Sequence, residues 1–147
     1  MKLVVQIPCF NEEKTLPLVL SEIPKKIEGI DKIEIQIIDD GSTDKTVEVA
    51  KKFGVDKIIS HKINRGLGIS FGDGVEAALK AGADILVNTD GDNQYPGKYI
   101  SDLVKPIISE EADIVIADRQ TKTVKHFSSN KKKLQSLGSS MVRYLSG

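Results

Sequence analysis

The sequence predicts an α/β fold in which a mainly parallel sheet is flanked by helices on both faces. Two observations predict it. β-branched apolar runs alternate with stretches of helical periodicity from the first residues onward, with short connections between them, which is the pattern of strand–helix–strand units. Each apolar run also gives out into a polar or glycine-containing segment, and open sheets of this kind gather their loops at the carboxyl ends of the strands. A chain of 147 residues suits one domain with a real core. Lysine plus arginine equals aspartate plus glutamate, 21 against 21, so nothing global attracts nucleic acid. One cysteine, Cys9, excludes an internal disulfide and a cysteine metal site and fits a reducing compartment. No apolar run approaches the roughly 20 residues of a membrane span, and Lys2 followed by a short apolar run is not a signal peptide. A soluble chain is expected, with contact at a membrane surface left open.

Leu3-Val4-Val5-Gln6-Ile7 reads as the first strand, ended by Pro8. Asn11-Glu12-Glu13-Lys14-Thr15-Leu16-Pro17 reads as a helix entrance, with Asn11 or Thr15 as cap and two acids near the positive end of the dipole. Leu16, Val19, Leu20 and Ile23 form the buried stripe, and Pro24 stops or kinks the helix. Ile33 to Ile38 alternates and then turns wholly apolar, a strand entering the sheet interior. It ends at Asp39-Asp40-Gly41-Ser42-Thr43-Asp44, where Ser42 or Thr43 is expected to cap a helix from Lys45 to Phe53. Asp40 reads equally as turn chemistry or as an acceptor for a base or ribose.

Val55 to Ser60 gives a third strand. The loop Asn64-Arg65-Gly66-Leu67-Gly68 then opens a helix over Ile69 to Ala81, and its glycines either make the turn or let backbone N–H groups approach a phosphate. Gly72 and Gly74 in that helix each cost about 1 kcal/mol relative to alanine, so close packing or ligand approach is expected there. Ile85-Leu86-Val87 is a buried strand that gives out into Asn88-Thr89-Asp90-Gly91-Asp92-Asn93-Gln94-Tyr95-Pro96. On extended backbone residues i and i+2 face the same way, so Asp90, Asp92 and the amide oxygen of Gln94 can converge on one hard cation. Standing alone the triplet is better read as a polar turn. Tyr99 to Ser109 reads as a helix with Leu103, Val104 and Ile107 inward and Pro106 late enough to end or bend it. Ala112 to Ala117 reads as a fifth strand delivering Asp118-Arg119, where the arginine fork suits phosphate oxygens. Residues 120–130 read as a loop, and Lys131-Lys132-Lys133 begins a helix with Leu134, Leu137, Met141 and Leu145 at core spacing. His61 and His126 are lone histidines, better read as structural or exposed than as metal ligands.

Pro8 to Glu12, Asp39 to Ser42, Asn64 to Gly68, Asp90 to Gln94 and Asp118-Arg119 all follow strand ends. Their meeting on one rim moves the metal reading of Asp90 and Asp92 ahead of the turn reading. These residues resemble the inverting nucleotide-sugar glycosyltransferases of the large family that includes dolichyl-phosphate mannose synthases. Ile7-Pro8-Cys9-Phe10-Asn11-Glu12 is similar to its first-strand motif, Ile38 to Asp44 to its second, Asn64 to Gly68 to its third, and Asp90-Gly91-Asp92-Asn93-Gln94 to its Asp-x-Asp metal motif.

The resemblance implies a Rossmann-like fold of the GT-A type, with a nucleotide-sugar donor-binding domain over residues 1–119 and, over 120–147, a loop and the start of an acceptor-side helix. It implies that Pro8, Phe10, Glu12 and Asp40 line the nucleoside pocket, with Asn64 and Gly68 in the adjoining loop. Asp90 and Gly91 would lie against the donor, Asp90, Asp92 and Gln94 would hold Mg²⁺ or Mn²⁺, and Asp90, Asp92 and Arg119 would be the catalytic set. Lys132 and Ser136 stand where lipid-phosphate transferases carry an Arg-x-x-x-Ser element, with lysine keeping the charge but losing the bidentate fork. Implied partners are a UDP- or GDP-sugar and a polyprenyl-phosphate acceptor, with the protein cytoplasmic, at the inner face of the cell membrane. Members of the family continue past the equivalent of Gly147, so a truncated form lacking the C-terminal acceptor part is expected. Two other readings compete: a nucleotidyltransferase making nucleotide sugars, which calls for a glycine-rich loop that Pro8 to Glu12 does not supply, and a non-catalytic nucleotide-binding module built on Asp39-Asp40.

Overall fold

The structure is a computed structural model, and residues 1–117 are described. Met1–Val115 make one compact unit. Its elements run β1 (Lys2–Cys9), α1 (Leu16–Glu22), β2 (Lys32–Asp39), α2 (Thr46–Lys52), β3 (Lys57–Ser60), α3 (Leu67–Lys80), β4 (Ile85–Asn88), a 3₁₀ turn (Gly97–Tyr99) and α4 (Ile100–Ile108). The strands form a parallel four-stranded sheet in the order β3-β2-β1-β4. The chain moves outward from β1 through β2 to β3 and then returns to place β4 on the other side. The order therefore reverses between β1 and β4, where open α/β sheets leave a crevice at the strands' carboxyl ends.

Both faces are covered, as the continuous apolar runs require. Leu3, Val5, Ile7 and Cys9 on one face of β1 pack with Leu16, Val19, Leu20, Ile23, Ala50, Ile100 and Val104 from α1, α2 and α4. On the other face, Val4 and Ile38 are buried together with Ala77 and Ala78 of α3. That second face also carries a row of buried amides: Gln36 Nε2 donates to Gly74 O at 2.7 Å and to Gln6 Oε1 at 3.3 Å, and Gln6 Nε2 donates to Asn88 Oδ1 at 2.8 Å. Gly74 is glycine because of this row, since a Cβ there would stand 2.5 Å from Gln6 Oε1 and 2.9 Å from Ile38 Cδ1. Gly72 faces open space, so close packing accounts for only one of the two helical glycines.

Several boundaries differ from the sequence reading. β1 runs through Pro8 to Cys9, with Pro8 paired to Ile38. Gln6 O accepts from Thr89 on the β4 side and Cys9 O accepts from Asp40 on the β2 side. Pro8, in phase with Gln6, therefore turns its missing N–H toward β4, where pairing has already stopped at Asn88, so the ladder loses nothing. Neither Ser42 nor Thr43 caps α2, which starts later, at Thr46. Both are used across the loops instead, Ser42 Oγ accepting from the N–H of Asn11 and Thr43 N–H donating to Asn11 Oδ1, while Asp44 Oδ1 accepts from the Thr46 N–H. Pro106 sits inside α4, two residues before its end. Ala112 to Ala117 is not a strand among the described residues. Ile114 and Ile116 are 79% and 87% exposed, and no strand among the described residues pairs with this run.

Candidate functional site

The loops after all four strands are stitched to one another at the carboxyl edge of the sheet. After β4, Gly91 is wedged against the end of β1: a Cβ on it would lie 2.9 Å from Cys9 Sγ, 3.1 Å from Glu12 Cγ and 3.4 Å from Pro8 O. The β1 loop is tied to the β2 loop by Asn11, which takes a positive φ of 58°, and by the N–H groups of Glu12 and Glu13, which donate to Thr46 Oγ1 and Asp44 Oδ2. The β2 loop meets the β3 loop backbone to backbone, since a Cβ on Gly41 would stand 2.6 Å from Ile63 C and 2.7 Å from Asn64 N. Pro8, Glu12, Asp40, Asn64 and Gly91 thus stand on one continuous rim. Phe10 is half exposed beside them and Gly68 faces solvent in the first turn of α3. Arg119, Lys132 and Ser136 lie outside the described residues.

Asp40 is the most heavily bonded group on the rim. It is 5% exposed. Its Oδ1 accepts from His61 Nδ1 at 2.7 Å and from the Arg65 N–H at 2.8 Å, and its Oδ2 accepts from the Gly66 N–H at 2.8 Å. Burial pushes its carboxyl up, but those donors outweigh burial and hold it below the usual range. Ser70 is fully buried nearby; its hydroxyl reaches no partner within hydrogen-bond geometry, yet it is close enough to favour the ionised Asp40. On the far side of the imidazole, His61 Nε2 stands 2.9 Å from Asp73 Oδ2, and Arg65 Nη1 donates to that same oxygen at 3.2 Å.

The rim near β1 and β4 is rich in carboxylates. The Cys9 thiol is pushed far above its usual value, first by burial and then by Glu12, Asp39, Asp44 and Asp90. Cys9 is therefore an inert packing residue, and its surroundings report concentrated negative potential at the carboxyl end of β1. In the acidic turn, the Gln94 N–H donates to Asp92 Oδ1 at 2.9 Å, and Gln94 Nε2 donates to Asp92 Oδ2. Asn93, at φ 61°, has a buried Oδ1 with no hydrogen-bond partner. Among the described residues no three histidine, cysteine or acidic side chains gather as a complete metal cage. The donors present are oxygens, with one orphaned, and this suits a hard cation that takes one or two carboxylates and completes its shell from phosphates and water. Such a cation would displace the Gln94 amide from Asp92.

His61, Asp73, Asn11 and Asn93 did not emerge from the sequence as site residues. His61 was visible only as a lone histidine, although its place immediately after β3 puts it on the rim. Asp73 carries no local signal, being an acid in the second turn of a helix, beyond the first turn where the dipole favours one.

Glycosyl transferase family 2 matches residues 4–144. The chain belongs to this family. It is 30% identical to a UDP-N-acetylglucosamine–dolichyl-phosphate N-acetylglucosaminyltransferase of Methanococcus voltae, over 96% of this chain and 61% of that protein. It is 32% identical to a dolichol-phosphate mannosyltransferase of Pyrococcus furiosus, over 83% of this chain and 34% of that protein. Among solved structures, the Mycobacterium tuberculosis glucosyl-3-phosphoglycerate synthase in complex with Mn²⁺, UDP and glucosyl-3-phosphoglycerate matches with a TM-score of 0.60 and 25% identity, over 74% of this chain and 40% of that one. The chain thus spans less than two thirds of these relatives. The parallel sheet with flanking helices is the GT-A arrangement expected, and the family is one of glycosyltransferases, not of nucleotidyltransferases. No helix among the described residues is long and apolar enough to cross a membrane.

Proposed function

We propose that this family 2 chain is the donor-binding portion of a metal-dependent, inverting glycosyltransferase that moves a sugar from a nucleotide diphosphate-sugar to a polyprenyl-phosphate carrier at the inner face of the cell membrane. The observation that carries the reading is the charge of the rim. A nucleotide diphosphate is anionic, and Glu12, Asp39, Asp44 and Asp90 all lie close enough to the end of β1 to push the Cys9 thiol up, so a cation between rim and diphosphate would offset their repulsion. Asp90, Asp92 and Gln94 would hold Mg²⁺ or Mn²⁺, which supplies charge neutralisation to the departing diphosphate. Asp40, fixed as an ionised acceptor, would orient the base, with Pro8, Phe10 and Glu12 lining the nucleoside pocket and Asn64 and Gly68 beside the phosphates. Gly91, pressed onto the end of β1, keeps the acidic turn against that pocket.

A lipid phosphate is already an anionic nucleophile and needs no general base. Attack opposite the departing diphosphate inverts the anomeric centre. Arg119 is assigned to phosphate contact and Lys132 and Ser136 to the acceptor side, with the donor domain over residues 1–119. The reading makes UDP or GDP binding depend on Mn²⁺, and Asp92→Ala should weaken the metal-loaded complex by about 10- to 100-fold and abolish the dependence. Calorimetry with and without Mn²⁺ tests it. Equal, metal-independent binding by both proteins would overturn it.

A further inference from the structure

We propose that His61 and Asp73 are positioning residues for the nucleoside carboxylate: the imidazole, gripped between Asp40 and Asp73, fixes Asp40 as an ionised and oriented acceptor. The proposal rests on the assignment of Asp40 to the base. The His61 side chain is only 7% exposed, and both of its nitrogens face carboxylates, Nδ1 at 2.7 Å from Asp40 Oδ1 and Nε2 at 2.9 Å from Asp73 Oδ2. With a proton on Nδ1 the ring donates to Asp40 and fixes the direction of that carboxylate, while Asp73 holds the far nitrogen and sets the tilt of the ring.

The groups that face the ring complete the arrangement. Arg65 Nη1 donates to Asp73 Oδ2 while the Arg65 N–H donates to Asp40 Oδ1, so Asp40, His61, Asp73 and Arg65 form a closed circuit. It joins two carboxylates to one imidazole and one guanidinium through hydrogen bonds, so the largely buried ring has a partner on both of its nitrogens. Ser70, buried at the same place, adds no formal charge. Asp73 lies on α3 and Asp40 at the end of β2, so His61 also ties that helix to the sheet edge.

One consequence concerns the ligand. A carboxylate held ionised accepts and never donates, so it matches a base edge that offers N–H, uracil N3–H or guanine N1–H, and repels the lone pair of cytosine N3 or adenine N1.

The test is calorimetry of UDP and GDP binding to the whole chain with Mn²⁺, with Asp40→Asn, His61→Ala, His61→Asn and Asp73→Asn. Asp73→Asn should weaken binding by about tenfold without touching the ligand. His61→Asn keeps an N–H for Asp40 and should regain part of what His61→Ala loses. Normal affinity in both His61→Ala and Asp73→Asn, beside a weakened Asp40→Asn, would overturn the positioning role alone. Unaltered binding by Asp40→Asn would remove the nucleoside assignment and this proposal together. Nitrogen NMR of the unsubstituted protein gives a readout independent of variant folding. A proton on His61 Nδ1, the nitrogen that faces Asp40, is expected, and a ring with its proton on Nε2 alone overturns the proposal.

Discussion

The two halves of the rim are built differently. On the β2–β3 side, every donor around Asp40 is supplied by the protein itself, from His61, Arg65 and Gly66, and Gly41 lets the two loops touch backbone to backbone. On the β4 side, Asp92 is occupied by its own neighbour Gln94, and Asn93 Oδ1 is buried without a partner. One half meets its buried carboxylate with donors from the protein; the other leaves the Asn93 oxygen unmet. The proposed function, with a rigid reading of a base and a removable cation, would call for that division, because preorganisation saves ordering cost only where the partner never changes.

Substitutions at matched positions sharpen the contrast. The largest effect is expected at Gly41. It holds φ +78° and a Cβ would overlap the Ile63–Asn64 backbone, so Gly41→Ala should cost about 3 kcal/mol in denaturant unfolding. Gly91→Ala meets mainly side-chain atoms and needs no positive φ, and should cost about 1 kcal/mol. Equal costs would break the comparison.

Next comes Asp40 itself. Asp40→Asn should lose about 2 kcal/mol at neutral pH, because charged hydrogen bonds are replaced by weaker ones. The folded carboxyl titrates below its ordinary range, so the stability it gives is complete above about pH 4 and is lost as pH falls through the folded value. Acid unfolding curves of variant and parent should therefore converge at low pH. The smallest effect is at Gly68, where no positive φ is needed and nothing lies within 4 Å of a Cβ. Gly68→Ala should raise stability by about 0.5 kcal/mol in thermal unfolding, yet weaken nucleotide binding by a few fold if phosphate approaches the backbone there. Raised stability with unchanged binding would take Gly68 out of the site.

Much of this is legible in the sequence, and for a physical reason. Leu16, Val19, Leu20 and Ile23 announce a buried helix face because periodicity is local. The polar turns announce the rim because each directly follows its strand. What stayed hidden depends on partners far along the chain. Ala112 to Ala117 has strand composition, but a strand exists only against a neighbour. Pro8 looked like a strand end because the sequence does not say which side of the ladder its missing N–H faces. His61 looked idle because its two acids lie 21 and 12 residues away, in opposite directions. Gly74 showed that it was costly in a helix but not that Gln6 was the reason.

The amide row beneath α3 also constrains the order in which the chain assembles. Gln6 meets Gln36 across 30 residues but reaches Asn88 only across 82. Closing the longer loop costs more chain entropy, so β1 and β2 can zip together while the Gln6 amide still lacks its acceptor on β4. Docking of β4 satisfies that amide and, in the same event, brings the acidic turn to the crevice.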